Sequence, residues 1–117
     1  MRPLFRLLLA AILGNATTAT RAAEPLVFIS AFAPGTNGAI HAFHLDPESG
    51  RLKPAQRTDG VEHPFFMAAS RDQKFLYAIY AKTFGGKEPE QVAAYAIEGR
   101  TGRLTLLNRQ STRGTAS

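Results

Sequence analysis

The chain has 117 residues, of which 44% are hydrophobic, and it contains no cysteine and no tryptophan. That composition belongs to folded material amounting to one domain at most, and it excludes both a disordered chain and a disulfide framework. The formal charge of +5 would point to an anionic partner, but its origin changes that reading. Residues 1–22 run from a basic start (Arg2, Arg6) through an apolar stretch, Leu7 to Leu13, to a small and polar end at Arg21-Ala22. This is the layout of a secretory signal peptide, with cleavage near Ala22 or Ala23, and its apolar run is too short to span a bilayer. Removing it takes away three arginines and lowers the charge from +5 to +2. A nucleic-acid partner then has no electrostatic support. The expected location is periplasmic or extracellular, with no membrane attachment once the leader is gone. The sequon Asn15-Ala16-Thr17 lies inside that leader.

Leu26 to Phe32 is a β-branched and aromatic run that stops at Ala33-Pro34-Gly35-Thr36-Asn37-Gly38, a strand followed by a loop. Ala39 to Leu45 is a second strand, closed by Asp46-Pro47-Glu48-Ser49-Gly50. Those residues suit a type I turn followed by a residue with positive φ, a usual link between antiparallel strands. Arg51 to Thr58 is a third strand, and Pro54 within it argues for a sheet edge. The stretch from Pro64 to Ala81 reads as a hairpin: two apolar runs, Phe65 to Ala69 and Phe75 to Ala81, flank the turn cluster Ser70-Arg71-Asp72-Gln73-Lys74. Both sides of this hairpin are greasy, since Phe75, Tyr77 and Ile79 alternate with Leu76, Ala78 and Tyr80. It therefore needs cover above and below. A longer loop from Lys82 to Glu90 leads to a strand at Gln91 to Ile97, a turn at Glu98 to Gly102, and a last strand at Arg103 to Gln110.

The second half repeats the first. Ala42, Phe43, Leu45, Gly50, Arg51 and Leu52 fall on Ala94, Tyr95, Ile97, Gly102, Arg103 and Leu104 at an offset of 52, and Leu26, Val27 and Phe28 fall on Phe75, Leu76 and Tyr77 at an offset of 49. A period of about fifty residues built from strands points to a propeller or a similar β array, in which neighbouring sheets cover each other's faces. The first repeat has three strands and the second four. Closed propellers have about four to eight blades, so two repeats are expected to be the N-terminal part of a longer protein. The fold class is all-β: antiparallel propeller blades over residues 23–117, after a signal-peptide helix over 1–22.

These residues resemble a known family. The series Leu26-Val27-Phe28-Ile29, Ile40-His41-Ala42-Phe43, Asp46 to Leu52, Pro64 to Ser70, Lys74 to Ala78 and Thr101-Gly102-Arg103-Leu104 resembles the start of the seven-bladed propeller lactonases of the 6-phosphogluconolactonase type. The resemblance covers residues 26–110, the first two blades of seven. Two positions depart from the family pattern: Gln73 stands where a turn glycine is usual, and Gly99 replaces the proline that Pro47 supplies in the first repeat. The resemblance implies hydrolysis of a sugar-acid lactone, with a small-molecule lactone or sugar acid as partner. It also implies a family histidine on the inner strand after Ser117; by the repeat, that histidine corresponds to Phe66, which can be neither acid nor base. The other family candidates lie on later blades, so no catalytic residue is assigned in this chain.

Lactone hydrolysis needs a group to activate water, donors for the oxyanion, and a cation for a phosphate or carboxylate on the substrate. His41 and His44 lie three apart on one strand and so face opposite sides. They cannot form one metal site, no other metal spacing is present, and no cofactor is implied. His63 precedes Pro64 at the entry to an inner strand, where a propeller gathers its central residues, and it is the one candidate for ligand binding. Gly85-Gly86-Lys87 lacks the rest of a phosphate-loop spacing and reads as a flexible connection. Asp46, Asp72 and Glu98 read as turn residues. The remaining alternative is an exported propeller that binds without catalysing, since a fold does not fix a function.

Overall fold

The structure is a computed structural model that describes residues 24–83 and 88–113. The leader expected over 1–22, with cleavage near Ala22 or Ala23, the Gly85-Gly86-Lys87 stretch and the end of the tail lie outside the described residues. Two antiparallel sheets make up the rest. The first has the order β1-β2-β3, with β1 Leu26–Ala31, β2 Ala39–Leu45 and β3 Leu52–Thr58. The second has the order β4-β5-β6-β7, with β4 Phe66–Ala69, β5 Phe75–Tyr80, β6 Gln91–Ile97 and β7 Leu104–Ser111. The three-strand and four-strand repeats are thus both present. Pro54 lies on β3, at the edge of the first sheet, where its missing N–H leaves no ladder bond unmade. Among the described residues no helix is long and apolar enough to cross a membrane.

The repeat extends to irregularities. In the first sheet the register slips between Ala42 and Phe43, which face Gln56 and Pro54 and leave Ala55 as the extra residue. In the second it slips between Ala94 and Tyr95, which face Asn108 and Leu106 and leave Leu107 over. Both bulges sit at the offset of 52. The two turns also match: Gly50 donates to the Asp46 carbonyl at 2.8 Å and Gly102 to the Glu98 carbonyl at 2.9 Å, with φ of 72° and 73°. Gly99 in place of proline therefore leaves the turn intact. In the hairpin turn Gln73 takes φ of 60°, the left-handed conformation that a glycine would hold at lower cost.

The turn carboxylates do what their positions predict, with one exception. Asp46 accepts from the Glu48 amide at 3.0 Å and the Ser49 hydroxyl at 2.9 Å. Asp72 accepts from the Ser70 hydroxyl at 2.6 Å and the Lys74 amide at 3.1 Å. The Ser70 bond, and after it the Lys74 amide, holds the Asp72 carboxyl below its usual value. Among the described residues Glu98 takes part through its main chain; the side-chain cap of that turn is Thr101, whose hydroxyl accepts from the Arg103 amide at 3.2 Å.

The core lies between the sheets. Ile40 from the first sheet, Val61 from the connection, and Leu76, Ala78, Ala93 and Tyr95 from the second form one buried cluster, with Phe28, Met67, Tyr80, Ile97 and Leu104 packed against it. Alternation explains the membership: Leu76 and Ala78 point into the seam, while Tyr77 between them is 43% exposed. The hairpin was expected to be covered on both faces, and among the described residues only one face is. The other is apolar rather than polar, with Phe66 on β4 65% exposed.

The seam is tight enough to single out one glycine. A Cβ on Gly102 would lie 2.8 Å from Ala42 Cβ and 3.0 Å from Leu26 Cδ2, whereas one on Gly50 would meet nothing within 4 Å. With nearly the same φ at both sites, Gly50→Ala should cost about 1 kcal/mol of left-handed strain and Gly102→Ala about 1–3 kcal/mol more from overpacking. Urea midpoints of the two variants, at unchanged m-value, measure the difference.

Candidate functional site

The loops at one end of the seam converge on a single segment, residues 61–64, which connects β3 to β4. Val61 and Pro64 are buried and anchor it. Between them, the Glu62 carbonyl accepts from the Ala81 amide at 3.1 Å, and the His63 amide donates to the Ala33 carbonyl at 3.0 Å. The Glu62 carboxylate accepts from the Gly35 amide at 2.8 Å. One short connection thus ties the loop after β1 to the loop after β5.

His63 is held at several points. Its backbone has φ of 45°, its ring packs against Phe32 with centroids 4.9 Å apart, and Nδ1 lies 3.1 Å from the Ala81 carbonyl oxygen. That carbonyl can only accept, so the bond requires the proton on Nδ1 and leaves Nε2 as an acceptor or base. The ring is half-buried. His41 and His44 are far from any shared role: His41 pairs with Ile29 on the outer face and His44 with Leu26 on the inner face of the first sheet. No cluster of metal-ligating side chains occurs among the described residues.

Beside His63 the same loops enclose a cavity of about 440 Å³, lined among others by Asp59, Glu62, Tyr80, Lys82, Glu88 and Arg109. His63 is not among its lining residues. Arg109, on the outermost strand, reaches across the seam: its Nη1 donates to the Gly60 carbonyl at 2.7 Å and to the Tyr80 hydroxyl at 2.7 Å, and its guanidinium carbon lies 5.4 Å from the centroid of the Tyr80 ring. This fixes a cation in the wall of a recess that also holds the Asp59, Glu62 and Glu88 carboxylates, a set able to accept from sugar hydroxyls. The sequence pointed to His63 and missed Glu62 and Arg109. Glu62 directly precedes His63, and that adjacency was the available signal. Arg109 had none, because a polar residue on an edge strand is commonplace.

Residues 26–117 match the family described as Lactonase, 7-bladed beta-propeller. The chain belongs to that lactonase family. It is 31% identical over 84 residues to the 6-phosphogluconolactonase of Bacillus subtilis, a match covering 71% of this chain and 23% of that protein. It is 28% identical over 91 residues to the 6-phosphogluconolactonase of Formosa agariphila, covering 75% and 25%. Among solved structures, a candidate 6-phosphogluconolactonase of Bacteroides fragilis superposes with a TM-score of 0.66 at 27% identity, over 80% of this chain and 25% of the other. One from Bacteroides uniformis gives 0.68 at 25% identity, over 79% and 26%. The chain thus spans about a quarter of the length of the curated lactonases it matches. Residues 61–64, with His63, lead into β4, the first strand of the four-stranded sheet.

Proposed function

We propose that this chain supplies two adjacent blades of an exported lactonase that hydrolyses a sugar-acid lactone, and that the active centre is completed by further blades. The family match over residues 26–117 carries this reading. His63 is proposed as a ligand-binding residue, its Nε2 accepting a hydrogen bond from a substrate hydroxyl. No group among the described residues is assigned to activate water. The reading invokes no cofactor, metal or nucleic acid, and it places the protein in the periplasm or outside the cell, with the mature chain beginning at Ala23 or Glu24. Export favours an unphosphorylated lactone over a 6-phosphate, because phosphorylated sugars are cytoplasmic metabolites.

The test is hydrolysis of glucono-δ-lactone, with and without a 6-phosphate, by the full-length protein, followed as proton release above the spontaneous rate. The full-length protein should be active and the 117-residue chain alone inactive. In the full-length protein, His63→Ala should raise KM about tenfold with kcat little changed, the loss of roughly one hydrogen bond. A full-length protein that binds sugar acids but never exceeds the spontaneous rate would replace this reading with that of a binding propeller.

A further inference from the structure

The recess that Glu62 and Arg109 share lies inside the pair of sheets. Its walls come from the connections after β1, β3 and β5 and from Tyr80, Gln91 and Arg109, which stand by register on the same face of the second sheet as the buried Ala78 and Ala93. Neither outer face contributes a lining residue, so whatever packs on those faces leaves the recess as it is. Its volume of about 440 Å³ falls within the range of about 300–1,000 Å³ typical of small-molecule sites. Several of its polar groups are held in place yet keep unused bonding capacity. Glu62 Oε2 accepts from the Gly35 amide at 2.8 Å, and among the described residues Oε1 has no partner. Arg109 makes both of its bonds through Nη1, which leaves Nη2 and Nε as donors. The Tyr80 hydroxyl accepts one of those bonds, so its own proton is free to donate. Asp59 meets Arg57 in an exposed contact at 3.5 Å, a pair that holds it only weakly.

We propose that this recess binds a neutral monosaccharide, at a site separate from His63. Charge selects the class of ligand. The carboxylates of Asp59, Glu62 and Glu88 and the cations of Lys82 and Arg109 stand around one small volume, so a charged ligand of either sign meets like charges. A hydroxyl does not: it donates to a carboxylate and accepts from an ammonium or guanidinium. A hexose carries several hydroxyls around one ring, and both kinds of partner surround the space. A metal ion is a poorer occupant, because Lys82 and Arg109 repel it and the described residues hold no group of three side chains placed to ligate one. The site is also pre-formed. Buried Val61 and Pro64 fix the backbone on either side of Glu62, and the Gly60 carbonyl and Tyr80 hydroxyl fix the Arg109 guanidinium, so little freedom is lost on binding. This inference concerns binding alone and holds whether the full-length protein is a hydrolase or a binding propeller.

The test is a titration of the full-length protein with glucose, gluconate and protonated glucosamine, which share a carbon skeleton and differ in charge, followed through amide chemical shifts. The Gly35, Gly60 and Lys82 amides should shift saturably with glucose, and the two charged sugars should need about three- to fivefold higher concentrations, the size of one exposed charge contact. Glu62→Gln keeps an oxygen for the Gly35 amide but replaces the charged acceptor facing the recess. It should raise the glucose midpoint about tenfold, the loss of one charge-assisted hydrogen bond. Lys82 is exposed, so Lys82→Ala should fold normally; it should also raise the midpoint, and it decides the matter if Glu62→Gln fails to fold. The proposal is overturned if glucose leaves these three amides unmoved or shifts only residues around His63. It is overturned equally if gluconate or glucosamine saturates them at a lower concentration than glucose, which indicates a charged ligand, or if neither variant that folds moves the midpoint. Hydrolysis assays on the same samples decide the lactonase reading separately.

Discussion

Gly38→Ala is expected to lower stability by about 3 kcal/mol or more, at or beyond the upper end of overpacking costs. A Cβ at this position would stand 2.3 Å from the Val61 carbonyl oxygen, 2.6 Å from the Ala33 carbonyl oxygen and 2.9 Å from Glu62 Cα. All three are backbone atoms, so no side chain can swing aside to relieve the clash. The backbone at Gly38 has φ of −68°, which any residue adopts, so the requirement is for space alone. Opening that space would pull residues 61–63 away from the loop after β1 and break the His63 amide bond to Ala33. Val61, which is fully buried, would move with them. Gly99→Ala, where nothing lies within 4 Å, should change stability by less than about 0.5 kcal/mol. Urea denaturation of both variants checks the contrast.

The second large effect is at Tyr95. Its ring is 1% exposed at the centre of the seam, so Tyr95→Ala should cost about 4 kcal/mol through lost transfer energy and the cavity left behind. Tyr95→Phe should behave in the opposite sense. The Tyr95 hydroxyl is buried with no hydrogen-bond partner among the described residues, and removing such a group is neutral or stabilising by roughly 1 kcal/mol. Burial also pushes the phenol above its ordinary value; Tyr80 adds to the shift and the Arg109 charge partly offsets it. The folded state therefore holds the proton more tightly than the unfolded state. The corresponding stability is fully present below about pH 10, the unfolded value, and is lost as pH rises through the higher folded value. Thermal melts between neutral pH and about pH 10.5 should show a steeper alkaline loss in the wild type than in Tyr95→Phe.

Where alternation and turn residues agree, the strands are legible in the chain: β2 and β6 begin and end where their apolar runs do. The other boundaries shift for identifiable reasons. Phe32 falls outside β1 because its ring packs on His63 beyond the last ladder pair. Ala81 leaves β5 because its amide turns to the Glu62 carbonyl. The bulge after Ala42 has Pro54 beside its extra residue Ala55, whereas the one after Ala94 has neither glycine nor proline to announce it, yet the repeat preserved both. The conformation of Gln73, with φ of 60°, was anticipated because it stands where the family's turn usually has glycine. The cavity was not legible, since its walls come from segments brought together only by stacking the sheets. His63 was found through Pro64, but its tether to the Ala81 carbonyl is a long-range contact without a local signature.

One repeat unit stacks on the next through a glycine-sized gap at Gly102. Proton NOEs report on it directly, between the Gly102 α protons and the Ala42 and Leu26 methyl groups. Strong cross-peaks at these positions, together with NOEs from the Tyr95 ring to the Ile40 methyls, are the predicted result. A spectrum with the cross-strand NOEs of both sheets intact but none of these contacts would mean that the sheets fold without stacking, and would contradict it.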